Sequence, residues 1–161
     1  MLRRLRTKNR GFTLTEMLVT LAIVAILAAA ALPLAKIAVK RQKEIELQRC
    51  VRMMREAIDL YKQMADEKKI TVEDETEGYP PDLETLVEGV EVKETSEGTE
   101  SVRLHKFLRR IPKDPMTNST DWGLRSYQDA PDTNVWGGEN VYDVYTKSPG
   151  TALDGSKYRD W

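Results

Sequence analysis

The pattern of apolar and charged positions changes three times along the chain. Residues 1–11 are basic and hold no acid, with positive charge at Arg3, Arg4, Arg6, Lys8 and Arg10. Met17 to Ala35 is then a run of 19 nearly all apolar residues, with Thr20 and Pro33 as mild interruptions. One acid, Glu16, stands at the start of this run, and no further charge follows until Lys36. At about 1.5 Å of helical rise per residue the run reaches about 28 Å, roughly the hydrocarbon thickness of a bilayer. The core helix of a soluble protein would keep a polar face, and this run has none.

From Lys36 the pattern turns amphipathic. Leu47, Val51, Met54, Ile58, Tyr61 and Ala65 recur at alternating gaps of four and three, which predicts a helix with a heptad-like stripe. The other face carries Glu44, Glu46, Arg49, Arg52, Arg55, Glu56, Asp59 and Lys62. Glu44 and Gln48, Arg52 and Glu56, and Arg55 and Asp59 stand four apart, each pair worth about 0.3 kcal/mol. The stripe is expected to pack on the chain's own globular part, because that part must be buried on something. Span and stripe together predict one helix from about Phe12 to Lys68. Pro33 lies inside it and should kink or loosen it, since proline lacks the backbone donor and clashes with the preceding turn.

The remainder, residues 70–161, reads as short elements. Residues 70–78 are acidic and aperiodic and form the turn off the helix. Pro80 and Pro81 stop any helix, and Pro81 or Asp82 can open the next one, which carries Leu83, Leu86 and Val87. Residues 88–102 read as a loop or a weak strand pair. Leu104, Phe107, Leu108 and Ile111 have helical spacing, ended by Pro112 and Pro115. Residues 122–128 and 141–145 are rich in aromatic or branched residues and predict strands, with a turn-rich loop over 129–140 between them.

Charge and composition narrow the function. Removing residues 1–11 takes away five positive charges and no acids, so the net charge moves from −1 to −6. That is no nucleic-acid footprint. The basic start favours a cytoplasmic amino terminus. Lys36, Lys40, Arg41 and Lys43 beyond the run weaken that bias, although Glu44 and Glu46 lie close by. A single cysteine, Cys50, allows no internal disulfide, and a single histidine, His105, gives no support to a zinc site or a Ser-His relay. No glycine-rich phosphate loop and no catalytic constellation is visible, so no enzyme is expected.

A secretory signal peptide also begins with basic residues and an apolar stretch. This run is longer than the usual signal core, no convincing cleavage site of small residues follows it, and Glu16 would be costly there. Gly11-Phe12-Thr13-Leu14-Thr15-Glu16 instead resembles the cleavage and methylation motif of the type IV pilin and type II secretion pseudopilin superfamily. The basic leader, the Gly11–Phe12 junction, Glu16 and Pro33 all match its spacing. The resemblance implies that a membrane prepilin peptidase cuts after Gly11 and methylates the new amine of Phe12, and that the mature chain polymerises. Beside it stands a physical argument for Glu16. Cleavage creates a cationic amine on Phe12 at the membrane edge, and a carboxylate four residues on would lie one helical turn away. Either charge alone is expensive in lipid, so pairing them, within a subunit or between subunits, can set axial register.

The second half resembles the major, G-type, pseudopilins of type II secretion. The matching residues are Gly78-Tyr79-Pro80 with Leu83 and Leu86, then Ile111 to Pro115, Trp122-Gly123, Tyr127 and Tyr142 to Tyr145. The fold this implies is α+β and pilin-like: a long amino-terminal helix packed on a small antiparallel sheet, with short helices and loops. The segments are then a cleaved leader (1–11), a transmembrane and assembly half of the helix (12–35), its amphipathic half (36–69) and a periplasmic globular part (70–161). The family often holds calcium in its last loop. This chain has Lys147-Ser148-Pro149-Gly150 where the family shows Gly-x-Asp-Gly, and Asp143, Asp154 and Asp160 remain as candidate ligands. Trp161 is expected to pack back on the domain.

The implied role is a structural subunit in the inner membrane, lifted by a platform and ATPase into a homopolymeric filament topped by minor pseudopilins, which pushes folded proteins across the outer membrane. The alternatives are the pilin of a long surface fibre, disfavoured by the lack of a carboxyl-terminal disulfide pair, and a membrane-anchored binding protein, which would stay monomeric.

Overall fold

The computed structural model describes residues 11–96, 99–131, 133 and 135–161. The leader residues 1–10 lie outside these. The chain divides into two compact units, 1–40 and 41–161.

Helix α1 spans Leu14–Asp66. It opens on Thr13, whose hydroxyl accepts the Glu16 backbone N–H at 3.2 Å. A Thr three residues ahead of a Glu is the pattern of a capping box, and it ties off a donor that the first turn cannot satisfy itself. At its other end Lys68 takes a left-handed conformation (φ 55°). The Lys69 N–H then reaches the Met64 carbonyl and the Lys68 N–H the Ala65 carbonyl, each at 2.9 Å. This is a Schellman end built on lysine where glycine is usual. As the sequence predicts, one helix runs through Pro33. What proline removes there is one donor to the Ala29 carbonyl, and good helix formers flank it on both sides.

Within 41–161 the helical stripe is the floor of the core. Leu47, Val51, Met54, Ile58 and Tyr61 are at most 4% exposed. They cluster with Leu83, Leu86, Val92, Leu108, Trp122, Val141, Val144, Ala152 and Tyr158. The stripe thus packs inside its own unit, as expected. Two of the expected helix-surface pairs do not form, because tertiary partners take those side chains. Glu44 is buried and bonds the carboxyl-terminal tail, and Arg55 turns to Asp143 instead of Asp59.

Helix α2 spans Leu83–Glu88. Asp82 caps it, accepting the Thr85 N–H and hydroxyl, both at 2.7 Å. Gly89 ends it at φ 89°, where an added Cβ would lie 2.5 Å from the His105 carbonyl oxygen. Strands β1 (Val90–Ser96) and β2 (Thr99–His105) pair antiparallel with Val90 opposite His105 and Lys93 opposite Val102. The stretch left open between loop and strand pair is therefore a strand pair. The helix expected over Leu104–Ile111 is absent. Leu104 instead belongs to β2, which His105 closes, and the Phe107 and Leu108 N–H groups both donate to the Leu86 carbonyl. Those donors are spent on α2, so no helical ladder starts.

Strands β3 (Gly123–Arg125) and β4 (Asp143–Tyr145) form a second antiparallel pair, with Gly123 opposite Tyr145. Both are shorter than the sequence predicts, and among the described residues two separate two-stranded sheets replace the single sheet expected. Beyond Arg125 the backbone bonds side chains of the intervening loop: the Ser126 N–H donates to Asp129 Oδ2 at 2.7 Å and the Tyr127 N–H to Asn140 Oδ1 at 3.0 Å. Asn140 is fully buried, and its carbonyl also accepts the Trp136 indole N–H. These bonds cut the ladder short. The architecture is α+β.

Candidate functional site

The amino-terminal segment concentrates the candidate chemistry. Gly11, Phe12 and Thr13 precede α1, and Gly11 has open space around it. Phe12 is 72% exposed. From Leu14 to Val39 the large apolar side chains are exposed, among them Leu18, Ile23, Ile26, Leu32 and Ile37. Among the described residues one helix is long and apolar enough to cross a membrane, and none of its apolar window is buried within the chain. Glu16 occupies the first turn, where the partial positive charge of the helix start favours a carboxylate. Phe12 stands outside the helix, which begins two residues later than the apolar pattern predicts, so helical spacing alone does not place its nitrogen over Glu16. The capping role of Thr13 is no part of that pattern, although the Thr13-x-x-Glu16 spacing signals it.

Residues 6–32 match the family described as the prokaryotic N-terminal methylation motif. That match covers the Gly11–Phe12 junction and Glu16 but not Pro33. It indicates a type IV pilin-like protein of the prepilin-processed kind, and the α+β layout is consistent with a pilin. No curated protein and no solved structure matches the chain. The motif suggests prepilin peptidase processing and filament assembly, and the apolar helix near the amino terminus suggests membrane anchoring.

The second candidate region is the carboxyl-terminal tail. Asp143, Asp154 and Asp160, named together as possible calcium ligands, are not assembled. Arg55 grips Asp143 through Nε–Oδ1 at 2.7 Å and Nη2–Oδ2 at 3.2 Å. Arg125 Nη1 adds a contact at 3.3 Å. Asp154 accepts the Ser156 N–H at 2.9 Å and the Ser156 hydroxyl at 2.7 Å, bonds that hold its carboxyl below the usual range. Asp160 stands 3.7 Å from the Arg159 Nε. Among the described residues no three His, Cys, Asp or Glu side chains converge as a metal set. A carboxylate already gripped by two guanidinium groups does not fit calcium, which draws its ligands from several free oxygens.

Protein contacts hold the tail in place. Glu44 Oε1 accepts the Leu153 N–H at 2.9 Å and the Tyr158 hydroxyl at 2.8 Å. Tyr158 is buried, and this burial, then the bond to Glu44 and its charge, push its pKa up to about 12. Arg55 Nη2 donates to the Trp161 carbonyl at 2.9 Å. The Trp161 indole donates to Ser156 Oγ at 2.7 Å and its ring meets Tyr158 edge-on at 5.2 Å, so Trp161 packs back as expected. Neither Glu44 nor Arg55 was legible as a tail contact, because their partners lie about a hundred residues away.

Several motifs of the second half touch one another. The Trp122 indole donates to the Pro112 carbonyl at 2.8 Å. Asp114 is fully buried and accepts from Met116 N–H, Thr117 hydroxyl and Thr146 hydroxyl. Tyr145 lies on Gly123, with ring carbons 2.4 Å from where a Cβ would sit, and Arg125 stacks 4.4 Å from its ring centroid. Cys50 is buried, and its thiol is pushed up chiefly by that burial.

Proposed function

We propose that the chain is a structural subunit of the type II secretion pseudopilus, polymerising through its apolar helix after prepilin peptidase removes residues 1–11 and methylates Phe12. The observation that carries this reading is the combination at one end of the chain: the methylation motif over 6–32, and an exposed apolar helix whose first turn holds Glu16. In lipid the helix gains nothing by hydrophobic association, since tails are as apolar as its side chains. Specificity must come from close packing and from pairing the cationic Phe12 amine with Glu16, its own or a neighbour's. Pro33 would sit in the packed part of the filament.

The subunit is then a single-pass inner-membrane protein with a cytoplasmic amino terminus and its 41–161 unit in the periplasm. Its partners are further copies of itself, minor pseudopilins, the peptidase, the inner-membrane platform with its ATPase, and membrane lipid. The order of motifs from Gly78 to Tyr145 favours a secretion pseudopilus over a surface pilin.

The test compares the full-length chain with Glu16→Ala, each expressed with a prepilin peptidase and the assembly machinery. Both should enter the membrane and be cleaved, and filaments should form only from the parent. Normal filaments from the variant would refute the role of Glu16. Long surface fibres with unimpaired secretion in a deletion strain would reassign the chain to pili.

A further inference from the structure

A groove of about 900 Å³ runs between α1 and residues 107–113. Its floor is apolar: Ala57 and Leu108 are buried, while Met53 and Leu60 remain 42% and 38% exposed. Four positive side chains rim it, Arg49, Arg109, Arg110 and Lys113, against two acids, Glu46 and Glu56. The basic bias belongs to the whole stretch: residues 103–113 hold five Lys or Arg and no acid.

The opposite bias lies elsewhere in the same unit. Residues 73–100 hold eleven acids and one base, Lys93. The acids on α2 are tied close to the basic stretch, because the Leu86 carbonyl bonds Phe107 and Leu108. In the turn before it, Glu73, Glu75 and Glu77 are all exposed around the 3-10 turn Asp74–Thr76, with Lys62 of α1 as the base that senses Glu77. No residue of this turn lines the groove. A basic groove and an acidic turn on one chain that do not meet within it form a complementary pair between chains. Such a contact is head-to-tail, and a head-to-tail contact repeats into an open polymer.

We infer that the groove receives the acidic turn 73–77 of a second copy of this chain, making a contact between globular units in the polymer. Arg109, Arg110 and Lys113 meet the neighbour's Glu73, Glu75 and Glu77, and Met53 and Leu60 are covered beneath them. The inference rests on the filament reading above. It adds a surface at which subunits recognise one another outside the membrane, and exposed charges of this kind set register and partner choice more than raw affinity.

The test places a photo-crosslinking amino acid at Met53 in the full-length, processed chain within membranes. The expected product is a dimer whose crosslink maps to residues 73–77 of the second copy. Arg109→Glu with Arg110→Glu should lower its yield by about tenfold, with an unchanged melting temperature because both side chains are exposed. Co-expression with a copy carrying Glu73→Lys, Glu75→Lys and Glu77→Lys should restore it. Filaments that form while Met53 crosslinks elsewhere, to another protein, or to nothing would overturn this contact and leave the filament reading standing. Absence of any polymer from the parent chain would overturn both.

Discussion

Removing Glu44 should release the carboxyl-terminal tail from α1. The carboxylate is 9% exposed and accepts two bonds from residues more than a hundred positions away. In Glu44→Ala the Tyr158 hydroxyl loses the partner shown and the Leu153 N–H loses its acceptor. Bonds to a charged group contribute about 1.5–3 kcal/mol each, and a buried donor left unmade costs about 1–3 kcal/mol. These describe the same loss from two sides, so the expected destabilisation is about 3 kcal/mol, or roughly 10 °C in melting temperature. Glu44→Gln keeps an acceptor and should lose only about 1 kcal/mol. Thermal unfolding of the full chain in mild detergent, followed by tryptophan fluorescence, reads both. Tyr158→Phe should cost about 1 kcal/mol in the parent and almost nothing beside Glu44→Ala, which is the signature of a direct coupling. The phenol also gives a pH signature. Its folded pKa is raised from the usual value near 10 to about 12, so its contribution is complete below pH 10 and is lost as pH rises from about 10 through 12. Glu44→Ala should bring Tyr158 ionisation, read by ultraviolet absorbance against Tyr158→Phe, to lower pH. Stability within about 0.5 kcal/mol of the parent, with additive effects of the two substitutions, would refute the latch.

Other outcomes follow from the same contacts. Arg55→Ala should destabilise by about 1–2 kcal/mol, since it removes a two-pronged grip on Asp143 and the bond to the Trp161 carbonyl. Calcium titration of the full chain should leave its melting temperature unchanged, because bound calcium would have to raise it; a rise would contradict the view that protein contacts alone hold these carboxylates. Gly123→Ala should cost about 1–3 kcal/mol in the same melt, as its methyl has no space beside the Tyr145 ring.

Local patterns were readable and long-range choices were not. The apolar run, the stripe from Leu47 to Tyr61 and the helix start at Pro81 or Asp82 are each written within a few residues, and Asp82 is the cap the structure uses. The helix expected over Leu104–Ile111 failed because its spacing competes with a carbonyl, that of Leu86, that sequence cannot bring near. Arg55 and Glu44 looked like surface members of four-residue pairs, and both are instead bound to the tail. The same distance in sequence hid why Asp143 is no free ligand. At the amino terminus the motif was legible residue by residue. The position of Phe12 outside the helix was not, because helix starts are set by the cap at Thr13 and not by where the apolar run begins.

The most direct measurement is the amino terminus of the chain recovered from membranes that contain a prepilin peptidase, read by intact mass and terminal sequencing. The expected product is a chain beginning at Phe12 and carrying a methyl group on its nitrogen. A chain that keeps residues 1–11, or is cut anywhere else, would contradict it.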